Sequence, residues 1–113
     1  MRTVNRSAFV VRPREPYLRW AAGIDDDPAD AMETLRRHVS IYLVAEDPRG
    51  EAETAPLADY CEEIFEMELE AWSLDEGRWP ETRDLVTFVQ WFDVTGESIV
   101  VDLETTRLRA EAL

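Results

Sequence analysis

The sequence predicts an α+β domain with helices packed on one face of a mainly antiparallel sheet of about four strands, in the order β-α-α-β-α-α-β-β. Two observations lead to this fold class. Short runs rich in β-branched and aromatic residues, typical of strands, occur near both ends of the chain and in its middle. Amphipathic runs with helical spacing lie between them. The 113 residues contain no repeat and no long linker, so we expect residues 1–113 to form a single acidic domain.

Prolines set the limits of the first elements. Ser7–Arg12 is predicted as a strand that Pro13 ends, because proline has no amide proton for a sheet ladder. A short helix follows over Tyr17–Ala22. The second helix is predicted over Ala29–Arg37, since three aspartates and Pro28 precede it and favour a helix start.

The middle of the chain contains its most apolar strand and its clearest helix. Val39–Ala45 is almost continuously apolar, which predicts a central strand buried on both faces. Glu46–Pro56 is rich in acids, proline and glycine and is predicted as an exposed loop. Pro56–Trp72 has a broad apolar face opposite a row of acids, as expected of a helix packed against a core.

The C-terminal third is predicted to end in a hairpin. A short helix is expected to start at Trp79-Pro80 and end near Leu85. The strands Thr87–Val94 and Ser98–Glu104 are then expected to pair around a turn. A competing helical interpretation uses the apolar spacing within residues 85–92, but β-branched residues there weaken it.

The turn of this hairpin decides which side chains are buried. A type I turn with a bulge over Asp93–Gly96 places Val89 and Trp91 on the buried face. A two-residue turn would bury Phe88 and Phe92 instead, because a slip of one residue reverses the faces of a strand. The bulged loop is favoured, since the threonine in the turn disfavours the positive φ of the tighter loop.

Charge excludes several classes of function. The chain has 25 acids, 12 basic residues and a net charge of -13, although residues 1–20 are basic. A negative field of this size disfavours general binding to nucleic acid or to anionic membranes. No apolar run reaches the roughly 18 residues of a membrane-spanning helix. The polar N-terminus does not resemble a signal peptide, so we expect a cytoplasmic protein.

The usual catalytic groups are scarce. Every basic residue is arginine, so a Schiff-base lysine or a phosphate-loop lysine is excluded. His38 is the single histidine, and Cys61 is the single cysteine, on an apolar helix face where a thiol is usually inert. Without further ligands no zinc site is possible. We expect no catalytic residue, no metal and no cofactor.

Carboxylates are the one abundant group with chemical potential. Glu62, Glu66 and Glu70 follow one another at helical spacing, so like charges are stacked on one face. A solvated face explains this pattern, and a divalent cation or an arginine-rich partner are the functional alternatives. Glu68 lies on the apolar face instead. It is expected to form a buried ion pair with an arginine of residues 12–19, with a general acid as the alternative.

Four tryptophans in a chain this short suggest that one or two line a groove or a subunit contact. Trp79 is the first choice for partial exposure. The candidate binding residues are Arg12, Arg14, Trp20, Glu62, Glu66, Glu68, Glu70, Trp79 and Trp91.

The aromatic and acidic motifs resemble a group of small uncharacterised bacterial proteins. The resemblance spans the opening from Phe9 to Trp20, the IFEMEL helix ending at Trp72, Trp79-Pro80, and the hairpin residues 91–93 and 101–103. No activity, cofactor or catalytic residue is known for that group, so the resemblance implies a shared fold and a bacterial origin.

These observations favour a non-catalytic protein-interaction or regulatory module with an acidic, tryptophan-bearing surface. Its partner is expected to be a basic protein or a second copy of the chain. The alternative is a small-molecule-binding domain or small enzyme, with a pocket built from arginine, glutamate and tryptophan.

Overall fold

The computed structural model describes residues 2–46 and 57–112, which form an α+β fold. The strands in these ranges are β1 (Arg2–Thr3), β2 (Arg6–Pro13), β3 (Ser40–Ala45), β4 (Phe92–Glu97) and β5 (Val101–Asp102). The α-helices are α1 (Glu15–Gly23), α2 (Pro28–Arg36), α3 (Leu57–Glu70) and α4 (Leu85–Trp91), and one 3-10 turn covers Glu76–Arg78.

The strand β2 and the helices α1, α2 and α3 agree with the sequence predictions to within one or two residues at each end, whereas the short strand β1 was not predicted. Proline and aspartate set the starts as expected: Asp27 caps α2 by accepting a hydrogen bond from the Asp30 amide at 3.2 Å. The predicted loop Glu46–Pro56 lies outside the described residues except for Glu46.

The strands form two small antiparallel sheets, so a single four-stranded sheet is not confirmed. One sheet has the order β3-β2-β4, and the other pairs β1 with β5. The same two segments of the chain continue from one sheet into the other: Ala8 lies opposite Glu97 in the larger sheet, and Thr3 lies opposite Val101 in the smaller one. Between these two pairs the N-terminal segment has one residue more than the C-terminal segment. Such an extra residue is characteristic of a β-bulge.

The prediction that residues 39–45 form a central strand buried on both faces is wrong. β2 is central, and β3 lies at an edge of its sheet. Ser40, Tyr42 and Val44 face the helices, while Ile41 and Leu43 on the opposite face are 64% and 51% exposed. An apolar run is equally compatible with both arrangements, since only the neighbours of a strand decide whether its second face is covered.

The predicted hairpin is also wrong, because residues 85–91 form the helix α4. Asp84 caps this helix by accepting a hydrogen bond from the Thr87 amide at 2.9 Å, which lowers the pKa of the Asp84 carboxyl. The competing helical interpretation therefore prevails: the cap and the buried face outweigh the low helix propensity of the β-branched residues. β4 pairs with β2, and β5 pairs with β1 instead of β4.

The helix predicted to start at Trp79-Pro80 is absent. The 3-10 turn ends before Trp79, which has extended backbone angles of φ -74° and ψ 151°. Trp79 precedes a proline, and the proline ring disfavours the helical conformation of the residue before it. The chain then stays irregular until Asp84.

The buried side chains form one cluster in which aromatic rings dominate. Phe65, Phe88 and Phe92 are almost fully buried, and the Phe65 ring centroid lies 5.7 Å from that of Phe88 and 5.4 Å from that of Phe92. These contacts join α3, α4 and β4. None of the helices in residues 2–46 and 57–112 has the length and apolar character needed to cross a bilayer.

Replacing Phe88 by alanine is expected to lower the free energy of unfolding by about 3–5 kcal/mol, because the buried ring leaves a cavity. Val89→Ala is the matched control: Val89 is 42% exposed, and we expect a loss below about 1 kcal/mol. Urea unfolding of both variants measures the difference. If Val89→Ala lowered the free energy of unfolding more than Phe88→Ala, the result would contradict helix α4, since the predicted bulged hairpin would bury Val89 instead.

Candidate functional site

A groove of about 530 Å³ lies between β3 and the C-terminal half of α3. Its lining includes His38, Ser40, Tyr42, Glu68, Glu70 and Leu74. A second cleft of about 540 Å³ lies near Trp72 and Arg78, but its polar side chains are engaged in contacts within the protein. The groove beside β3 is the candidate site, because it contains a buried carboxylate.

The side-chain periodicity of strand β3 and of helix α3 brings three side chains together in the groove: Ser40, Tyr42 and Glu68. Ser40 and Tyr42 are two residues apart on β3, so both point toward the helices. Glu68 follows Phe65 by three residues on α3 and shares its buried face. The Glu68 side chain is consequently 4% exposed at the floor of the groove.

Two hydroxyl groups hold the Glu68 carboxylate. Tyr42 donates a hydrogen bond to Glu68 Oε2 at 2.8 Å, and Ser40 Oγ donates to the same oxygen at 3.1 Å. Among the described residues Oε1 accepts no hydrogen bond, and no ion pair includes Glu68. Hydroxyl donors solvate the buried charge in part, without neutralising it.

His38 extends this network to the rim of the groove, where its Nε2 lies 2.9 Å from Ser40 Oγ. An ionised carboxylate only accepts hydrogen bonds, so the single hydroxyl proton of Ser40 is directed to Glu68. His38 then donates to Ser40 in the tautomer that carries its proton on Nε2. In a catalytic triad the histidine stands between the serine and the acid. Here the serine stands in the middle, an order that does not activate it as a nucleophile.

The environment of Glu68 also keeps two tyrosines protonated. Burial raises the pKa of Tyr17 and Tyr42, and the negative charge of Glu68 raises both further. Tyr17 donates a hydrogen bond to the backbone carbonyl of Glu68 at 2.5 Å. The two phenols therefore remain hydrogen-bond donors well above neutral pH.

The expected ion pair between Glu68 and an arginine of residues 12–19 is wrong. Arg12 is exposed on β2, opposite Asp93 of β4 and on the sheet face that points away from the helices. Arg14 lies just beyond the strand and forms a surface ion pair with Asp93 at 3.6 Å. Neither guanidinium lies on the inward face of the sheet, where Glu68 packs.

The three stacked glutamates of α3 have different environments. Glu62 is exposed, and Glu66 is half-buried with its Oε1 3.5 Å from Arg83 Nε. That Nε is buried and makes no hydrogen bond of good geometry, so the contact is mainly electrostatic. Glu70 is exposed at the edge of the groove. Residues 2–46 and 57–112 contain no cluster of three potential metal ligands.

The tryptophans are half-buried and contribute mainly to packing. Trp20 donates to the Arg78 carbonyl at 2.8 Å, and Trp79 donates to the Ser73 carbonyl at 2.9 Å. Trp91 packs against Phe65, with ring centroids 5.4 Å apart. The structure thus does not bring Trp20, Trp79 or Trp91 to the groove that contains Glu68.

Sequence reasoning singled out Glu68 but missed Ser40 and Tyr42 as its partners and gave His38 little weight. The signal was available: two hydroxyl-bearing residues at a spacing of two lie within the apolar run 39–45. A strand with polar groups at alternate positions is typical of one that meets a polar group on a single face. Cys61 packs in the core, where burial raises the pKa of its thiol.

Tyr42→Phe is expected to lower the free energy of unfolding by about 1–3 kcal/mol, because Glu68 loses its shorter hydrogen bond. In a Glu68→Gln background the same change should have a smaller effect, since the hydroxyl then bonds to a neutral amide. Urea unfolding of the wild type, the two single variants and the double variant gives the coupling energy. Additive losses would contradict the interaction.

Stability is expected to fall as the pH rises above about 10. In that range the unfolded chain releases the Tyr17 proton, while the folded protein with its raised pKa keeps it, so the folded state binds more protons. The slope for Tyr17 approaches about 1.4 kcal/mol per pH unit. Urea unfolding across this range should show a smaller slope for Tyr17→Phe, and an unchanged slope would argue against the assignment.

Comparison of the chain with protein-family models, curated protein sequences and solved structures gives no match. The resemblance to small bacterial proteins therefore stays a prediction. What can be said about function depends on the geometry of the groove: a buried carboxylate, two hydroxyl donors, a histidine at the rim and a second glutamate at the edge.

Proposed function

We propose that the protein is a non-catalytic interaction module that binds a basic partner, and that the groove beside β3 receives an arginine side chain of that partner. One observation carries the proposal. The Glu68 carboxylate lies at the floor of an open groove with hydroxyl donors on Oε2 and no ion-pair partner among the described residues.

Electrostatics favour a cation at this position. A carboxylate removed from water is destabilising by several kcal/mol unless a partner compensates it. Two hydroxyls compensate it in part, and a guanidinium would complete the site by donating to Oε1. Glu70 at the groove edge adds a second negative charge, and the net charge of -13 attracts cationic partners over a longer range.

A small cationic ligand is the second candidate, because the groove volume falls in the range of small-molecule sites. It would occupy a different place from the pocket expected from the sequence, since Arg12, Arg14 and the tryptophans do not line this groove. The two candidates differ in what they require. A partner protein contributes contacts beyond the groove, whereas a small amine or guanidine binds through the groove alone.

Glu68→Gln is expected to weaken binding of a blocked arginine-containing peptide by about tenfold, because a neutral amide lacks the charge-assisted bond to the guanidinium. Glu62→Gln is the matched control: it changes the net charge equally, lies on the same helix and is exposed outside the groove. Fluorescence anisotropy at about 0.15 M salt keeps nonspecific attraction low.

Equal affinities for the two variants would contradict the proposed function, since binding would then depend on net charge and not on the groove. Acetyl-arginine-amide serves as the probe for the second candidate. If this single residue binds as tightly as the longer peptide, and Glu68→Gln weakens both, the small-ligand function replaces the protein partner.

A further inference from the structure

β3 is an edge strand in the part of the chain that the structure describes. Among the described residues β3 pairs only with β2, so one of its two edges has no neighbouring strand. The six residues SIYLVA contain no proline and no charged side chain. Natural edge strands usually carry such groups to prevent pairing with another chain, and β3 has none of them.

The two faces beside this edge have opposite chemical character. The outward face is apolar, with Val39, Ile41 and Leu43 exposed to 45%, 64% and 51%. The inward face opens on the groove, which contributes Glu68 and Glu70. A strand added along β3 would direct alternate side chains to these two faces.

We propose that the partner binds by adding an extended strand to the free edge of β3, with arginines at alternate positions facing the groove and apolar residues between them facing outward. The proposal rests on the proposed function and specifies its partner: an extended segment in which basic and apolar residues alternate. Main-chain hydrogen bonds to β3 supply affinity, and the acidic groove and apolar face supply specificity.

Charge favours such a segment over a second copy of β3. A β3 strand has no cation to offer, and pairing two copies would bring two acidic grooves to the same joined sheet. Each copy also has a net charge of -13, so the approach of two copies is opposed by repulsion. A basic segment removes both difficulties.

The test uses a blocked peptide of six residues, the length of β3, in which valine and arginine alternate. A peptide of the same composition with all valines before all arginines is the matched control. Two further probes carry N-methyl groups on alternate amides, one probe on the odd positions and one on the even. In a paired strand only every second amide faces the neighbour, so one methylated set removes the bonds to β3 and the other removes none.

The proposal predicts that one methylated probe binds at least about tenfold more weakly than the parent peptide, while the other retains its affinity. The block-sequence peptide should also bind more weakly. If both methylated probes bind like the parent while Glu68→Gln weakens all of them, strand addition is overturned and the proposed function stands. Equal weakening of both methylated probes also overturns strand addition.

Two further results show whether a basic segment or a second copy of the chain binds at the edge of β3. A parent peptide whose binding is unchanged by Glu68→Gln and by both methylations overturns the proposed function together with this inference. Sedimentation of the free protein identifies self-pairing: a dimer that the peptide does not dissociate overturns the proposal in favour of a second copy. A monomer that binds the peptide in a 1:1 complex supports it.

Discussion

The packing of Phe65 is the contact on which most of this structure depends. Its ring is fully buried and touches Phe88 and Trp91 of α4 and Phe92 of β4, with centroid distances of 5.7, 5.4 and 5.4 Å. Aromatic pairs at such distances favour defined relative orientations beyond the gain from burial itself. The ring therefore fixes α3 against α4 and the sheet, and it fixes the position of Glu68 one helical turn later.

The polar ends of large aromatic residues complete this arrangement. Tyr17 connects α1 to α3 through the Glu68 carbonyl, and Trp72 connects the end of α3 to α1 through the Ala21 carbonyl at 3.1 Å. Trp20 does the same between α1 and the 3-10 turn. Each side chain buries an apolar body and gives its one polar proton to a backbone oxygen, so half-buried tryptophans stabilise the packing of three segments.

Burial of Glu68 places a negatively charged group at the floor of the groove beside β3. A carboxylate in contact with hydroxyls, in a chain with a strongly negative charge, is a group for which a cation is the natural complement. The strand that supplies those hydroxyls is also an edge strand of the sheet within residues 2–46 and 57–112. One element thus combines a hydrogen-bonding edge, an apolar outer face and an acidic groove, the three features on which the proposed binding of a basic extended segment rests.

The sequence by itself determined the local features of this protein: the α+β class, the starts of α1 and α2 next to prolines, the amphipathic helix α3, and the placement of Glu68 on its buried face. Each of these depends on contacts within a few residues. Tertiary structure alone decided which strand is central, which faces are covered and which partners Glu68 has, because these depend on residues far apart in the chain. Residues 85–91 show the boundary between the two, since their β-branched composition favours a strand while the Asp84 cap and the packing of Phe88 make them a helix.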